Sequence, residues 1–249
     1  MSGHSKWATI KHKKGAQDKA RGKLFAKLIR QVEVAAREGG GDVSSNATLR
    51  TMFAKAREAS VPLDTIERAI KRGTGELEGV KYEAVSYEGY APGGIAMIIE
   101  CLTDNRNRTG PDVRTIFSKN GGSMAEPGAV AWQFERKGVI LTSRDIDEDE
   151  LMLAAADAGA EDLVDLGDSW QVLCPPHLLQ EVRESIEAAG FKVSSSELDL
   201  VPNATIELND ELDARKVLKL VDALEDLDDV QNVYANFDIP DSILELVEA

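Results

Sequence analysis

Lys6, Lys11, Lys13 and Lys14 stand close together near the N-terminus and enclose Trp7 and His12, in the run SGHSKWATIKHKKGAQDKARGK from Ser2 to Lys23. Ammonium groups at this density neutralise phosphates and release their counterions. An exposed indole among them can stack on an unpaired base, which contributes about 1–3 kcal/mol per base. The same indole could instead staple the basic arm to the segment behind it. His4 and His12 have no Cys or carboxylate cluster beside them at ligand spacing, so no metal site is expected there. A second group of polar residues, Asp104, Asn105, Arg106, Asn107 and Arg108, lies in TDNRNRT, Thr103 to Thr109, where a strand should give way to a helix. Amide and guanidinium donors at a helix N-terminus suit an anion. The local alternative is that Asp104 or Asn105 caps the helix while Arg106 and Arg108 pair with nearby acids.

Other combinations lack essential parts. DIDEDE, Asp145 to Glu150, has Glu150 at the sixth place, where a calcium loop needs glycine, and Ala156 at the twelfth. Its acids are those expected at a helix N-terminus. Gly73-Thr74-Gly75 has neither the spacing nor the Lys-Ser/Thr of a phosphate loop. Cys174 and His177 have no third group to orient them as a catalytic pair. Neither a cofactor nor catalytic activity is expected.

Charge is distributed unevenly along the 249 residues, whose net charge is −15. The first seventy-five residues carry sixteen Lys and Arg against seven Asp and Glu, a balance of +9, so the remainder carries −24. From Met1 to Arg30, nine basic residues, among them Lys19, Arg21, Lys23, Lys27 and Arg30, face the single acid Asp18. This is a polyanion-seeking end on an acidic body, and nucleic acid is the first candidate partner.

The length favours two or three domains. Only Cys101 and Cys174 are present, both in apolar strand-like runs, which suggests neither a disulfide framework nor a Cys-rich metal site and fits a reducing cytosol. No apolar run approaches a membrane span, and the N-terminal segment lacks the apolar core of a secretory signal. A cytoplasmic monomer, with its N-terminus retained, is the expectation.

The elements that must position these residues follow from periodicity. From Asp18 to Glu38, Leu24, Phe25, Leu28, Ile29, Val32, Ala35 and Ala36 recur at helical spacing until Gly39 to Gly41. At about 100° per residue, Lys19, Lys23, Lys27, Arg30 and Arg37 occupy roughly an 80° arc opposite that stripe. Two further helices are expected, one capped by Ser44 or Ser45, the other opened by Asp64 with Glu67 in capping-box register and stopped by Gly73. VSYEGY and IAMIIECL, joined at APGG, read as a hairpin. A helix over about 112–119 should then lead into a strand AVAWQF ending near Glu135. From Gly138 the order strand, helix, strand, strand, helix, strand gives a ferredoxin-like βαββαβ unit. ATIEL, a helix from Asp210 to Leu224 and VQNVYANF complete a second such unit with the segments upstream. The expected architecture is a basic arm and three-helix domain over 1–75, an outer α/β domain over 80–136 plus 202–249, and a ferredoxin-like domain over 137–201 inserted into it.

The run GHSKW-x-x-IKHKK-x-x-x-D, the loop TDNRNRT, and GAVAWQF followed by KGVI resemble the YebC family, and the similarity runs over essentially the whole chain. Its mitochondrial members are translational activators of cytochrome oxidase. The resemblance implies a helical domain followed by two α/β domains and a non-enzymatic role in gene expression, in the cytoplasm or the mitochondrion. Bacterial members are described as DNA-binding transcriptional regulators, and others as ribosome-acting translation factors. By this match Lys6, Trp7, Lys11, His12, Lys13 and Lys14 take the nucleic-acid role, with DNA or ribosomal RNA as partner, and Arg106 and Arg108 form a functional loop. Gly110-Pro111 after TDNRNRT departs from the pattern and bears on where the helix begins.

Overall fold

The computed structural model describes residues 18–248. It opens on α1 (Asp18–Gly39), α2 (Ala47–Glu58) and α3 (Leu63–Thr74). Leu28, Val32, Ala35 and Ala36 of α1 pack with Leu49, Ala56, Val61, Ile66 and Ala69 in one small core. The caps differ from those expected. Asn46, not Ser44 or Ser45, caps α2 by accepting the Leu49 N–H at 3.0 Å. Its amide nitrogen also donates to the carbonyls of Ala35 and Gly40, both at 2.8 Å, a double link beyond the reach of one hydroxyl. Asp64 lies inside the first turn of α3, which has Pro62 at its N-cap and no side-chain cap. Gly73 does not stop that helix; a Cβ there would lie 2.4 Å from the Glu33 carbonyl, so glycine lets α3 approach α1, and Gly75 at φ 84° ends the helix.

β1 (Glu83–Ala91) and β2 (Ile95–Thr103) form the expected hairpin. They are followed by α4 (Arg106–Lys119), β3 (Ser123–Ala125) and, beyond a short helical turn at Ala131–Gln133, β4 (Phe134–Ser143). AVAWQF is therefore not a strand of the outer sheet. Its last residue begins β4, which crosses the expected boundary at 136–137 without a break. Gly138 does not interrupt the strand because it stays paired in register with Cys174 on one side and Leu198 on the other, and glycine is required there because a Cβ would lie 2.5 Å from Cys174 Sγ.

The chain continues through α5 (Glu148–Ala156), β5 (Asp162–Asp165), β6 (Ser169–Cys174), α6 (Leu179–Ala188) and β7 (Val193–Pro202). β4 to β7 make an antiparallel sheet in the order β5-β6-β4-β7, the ferredoxin-like arrangement, over a core that includes Ile140, Leu151, Trp170, Val172 and Ile186. β8 (Ile206–Glu207), α7 (Glu211–Glu225), β9 (Val230–Ala235), β10 (Phe237–Asp238) and α8 (Asp241–Glu248) complete the chain.

β9 returns to pair with β2, giving the outer sheet β3-β1-β2-β9. In this sheet β1 takes the place expected for ATIEL, which contributes only β8, paired in parallel with β10 in a separate two-stranded sheet. α4 and α7 cover one face through Val113, Phe117, Val217, Leu220 and Val221 against Ile95, Met97 and Ile99. The other face meets the start of β4: Ala96, Ile98 and Tyr234 pack with Phe134 and Leu200. Phe134 and Pro202 are register partners, so the chain leaves the outer unit and returns to it side by side.

Candidate functional site

The sequence-predicted site residues fall into three groups. Lys6, Trp7, Lys11, His12, Lys13 and Lys14 lie outside the described residues, as do the side chains of Lys19 and Arg21. Lys23, Lys27 and Arg30 lie on α1 and face the outer domain. Lys23 Nζ meets Asp226 Oδ1 at 2.5 Å, Lys27 Nζ donates to the Glu225 carbonyl at 3.3 Å, and Arg30 Nη1 donates to the Asp228 carbonyl at 2.7 Å. Gln31 joins the same seam through Gln231 Oε1 at 3.3 Å. Arg37, on the same stripe, bonds the buried Glu33 carboxylate and the Val80 carbonyl. Among the described residues, the cationic arc of α1, expected to be open to phosphates, is thus turned toward the chain's own acids and carbonyls. The acidic end of α7 attracts it, and the negative pole of that helix adds to the pull.

The third group is TDNRNRT, which the structure divides between two tasks. Asn105 caps α4 by accepting the Arg108 N–H at 3.2 Å, so the helix starts at Arg106, several residues before the expected position, and Gly110-Pro111 lies within it. Arg108 turns back toward Asp104 Oδ1 at 2.8 Å and Asp229 Oδ2 at 2.7 Å. Arg106 and Asn107 are exposed, and among the described residues the Arg106 side chain makes no hydrogen bond or ion pair.

Asp229, which sequence reading did not single out, is the hub of this region. It lies just before β9 and is 7% exposed. Oδ2 accepts Thr109 Oγ1–H at 2.7 Å and Thr103 Oγ1–H at 3.1 Å as well as Arg108, while Oδ1 accepts Arg30 Nη1 at 3.0 Å. Burial alone would raise the pKa of this carboxyl. The bonds from Arg108, Thr109 and Thr103 outweigh it and hold the group below its ordinary 3.8. In turn the bonds to Asp229 and then Asp104 keep the Arg108 guanidinium above its ordinary value, firmly charged. The only sequence signal for the hub was the pairing capacity of Arg108, since nothing local to Asp229 marks it.

A cleft of about 470 Å³ opens over this hub, lined by Arg30, Tyr82, Asp104, Arg108, Asp112 and Asp228 among others. The Arg30 guanidinium lies 5.3 Å from the centre of the Tyr82 ring, within cation–π reach. Acids outnumber cations in the lining, and the two arginines are already paired, so the cleft is poorly suited to a phosphate. Among the described residues no His, Cys, Asp and Glu group could hold a metal ion, and no helix is long and apolar enough to cross a membrane. Burial pushes the Cys101 thiol up to about 12, so it remains a protonated core residue.

Fold and charge layout together define a three-part protein in which a cationic helical head is seated on an acidic α/β body. Family models described as "TACO1/YebC protein N-terminal domain" and "TACO1/YebC second and third domain" match residues 5–76 and 82–237, and the chain belongs to the TACO1/YebC family. It is 55% identical over 248 residues to a protein of Halothermothrix orenii named "Probable transcriptional regulatory protein", with 98% of each chain covered. A protein of the same name from Thermobifida fusca is 54% identical over 246 residues, again with 98% of each covered. Among solved structures, the crystal structure of a conserved hypothetical protein from Aquifex aeolicus is similar with a TM-score of 0.81 at 47% identity, covering 91% of this chain and 94% of that one.

Proposed function

We propose that this chain is a regulator of gene expression that acts by binding nucleic acid rather than by catalysis, with Lys6, Lys11, Lys13 and Lys14 as its principal phosphate contacts. The observation that carries this reading is how the cations are used. Lys23, Lys27 and Arg30 are engaged by the protein's own acidic loop. The density of lysine ahead of α1 has no comparable acidic counterpart in its own segment, where Asp18 is the sole acid. Exposed Arg57, Lys71 and Arg106, which form no ion pair with a described residue, supply further cations. The names carried by the relatives agree with a role in gene expression.

A second reading, RNA or the ribosome rather than duplex DNA, is favoured by α2 and α3. They are joined by the short turn Ala59–Pro62, as in a helix-turn-helix, whose second helix reads base edges with its N-terminal residues. Here that end carries Asp64 and Glu67, and Arg68 is tied to Asp64 at 2.8 Å. Carboxylates at this end repel a duplex, whereas a lysine arm with an aromatic suits single-stranded or folded RNA.

The test is binding to duplex DNA, structured RNA and ribosomes, measured side by side across salt for the wild type and a K6A/K11A/K13A/K14A variant. If about six phosphates are engaged, affinity falls by about 10³ between roughly 50 and 200 mM salt, and the variant gives a shallower slope. Equal slopes would refute arm-led binding, and the polyanion bound most tightly separates the two readings.

A further inference from the structure

Trp132 belongs to the motif GAVAWQF and takes no part in the Asp229 hub. Its side chain is 72% exposed, whereas Trp170 in the inserted core is 1% exposed. The indole is held in place. Nε1–H donates to the Ala129 carbonyl at 3.0 Å, so the ring faces rather than the N–H are offered outward. The Glu88 carboxylate accepts the backbone N–H groups of Gly128 and Val130, each at 2.6 Å, and of Ala131 at 2.9 Å. Val130 is fully buried beneath the loop. On the far side Asn203 Nδ2 donates to the Trp132 carbonyl at 3.1 Å, and the Asn203 N–H donates to the Gln133 carbonyl at 2.8 Å. A large aromatic side chain fixed in advance and left in water loses little conformational freedom on binding, as at preorganised interfaces.

Local charge decides what such a face can receive. A ring face attracts either a cation or another planar group. The nearest basic residues along the chain are neutralised: Arg136 pairs with Glu100 at 3.1 Å, and Lys137 with Glu135 at 3.2 Å and Glu161 at 2.6 Å. Glu126, at the start of the loop, is exposed and forms no ion pair with a described residue. The chain beyond residue 75 carries −24. A nucleobase would bring its phosphates into this negative field, whereas a basic polypeptide is drawn toward it. We propose that the Trp132 loop is a docking point for a basic protein segment, with an arginine or lysine side chain of that partner lying on the exposed indole face. This proposal does not depend on the arm binding nucleic acid.

The experiment uses the full chain, with a labelled hexa-arginine peptide and a labelled single-stranded oligonucleotide as probes, each followed by fluorescence anisotropy at low salt. W132A weakens peptide binding about fivefold, as expected when a surface cation–π contact and its apolar cover are removed together. W132F, which keeps a ring face, retains most of the affinity. Both variants melt with the wild type, and oligonucleotide binding does not change. Equal peptide affinity for W132A and wild type would overturn the proposal. So would equal losses in W132A and W132F, or a loss confined to the oligonucleotide.

Discussion

Arg30 on the first helix and Asp229 at the edge of the outer sheet meet at 3.0 Å, joining segments 199 residues apart in the chain. The same carboxylate receives Arg108 and the hydroxyls of Thr103 and Thr109. One side chain therefore fixes the start of α4, the end of β2 and the seat of the helical head.

Replacing Asp229 by Asn removes the charge and leaves one acceptor oxygen where two now serve Arg30, Arg108, Thr103 and Thr109, with an amide N–H group set against donors. Urea unfolding should show D229N less stable by about 2 kcal/mol, within the range for a buried polar group stripped of its partner. The β1–β2 hairpin, by hydrogen exchange, should remain protected.

Acid should act through the same residue. Because the folded-state pKa of Asp229 lies below its ordinary 3.8, the unfolded chain binds more protons between the two values. The stabilisation is complete above the ordinary value and is lost as pH falls through the folded one. Glu88 acts in the same direction: burial raises its pKa, but the N–H groups of Gly128, Val130 and Ala131 outweigh that and lower it. Wild-type stability, followed from pH 5 toward pH 3, should fall more steeply than that of D229N.

The two arginines of TDNRNRT should separate in mutagenesis. Arg108 is paired with two carboxylates, whereas Arg106 is exposed and pairs with no described residue. R108A should lower the melting temperature, whereas R106A should leave it unchanged. A loss of polyanion affinity in R106A would assign that position to binding.

The seam between α1 and the 225–231 segment should respond to salt. Exposed pairs such as Lys23–Asp226 contribute at most about 1 kcal/mol each and are screened by ions. Raising salt, or introducing K23A/K27A, should increase hydrogen exchange in that segment and spare the cores of both sheets. Because these lysines already have partners, K23A/K27A should reduce polyanion affinity less than loss of the arm lysines does.

In the inserted unit, Gly138→Ala would drive a methyl group toward Cys174 Sγ, 2.5 Å away, and toward Leu179 at 3.1 Å. Denaturant titration should show a cost of about 1–3 kcal/mol, the usual range for overpacking a core.

Features encoded by neighbouring residues were legible before the structure. The α1 stripe, the hairpin at APGG and the four strands of the inserted unit each rest on local periodicity or a turn. Lys137-Gly138 resembles a boundary in the sequence, while the cause of continuity, the pairing of Gly138 with Cys174 and Leu198, lies on two other strands. The Asn46 cap was missed because its advantage over serine comes from the carbonyls of Ala35 and Gly40. Long range mattered most for the site. Nothing around Lys23, Lys27 or Arg30 reveals that their partners lie in the segment 225–229.

The paired strands β4 and β7 run from Phe134 and Pro202, at the outer core, to Thr142 and Val193, beside the inner one. They form a two-ply beam rather than a single-strand swivel. A beam clamped in two cores transmits torque, so a partner pulling on the inserted unit would twist the outer sheet with it.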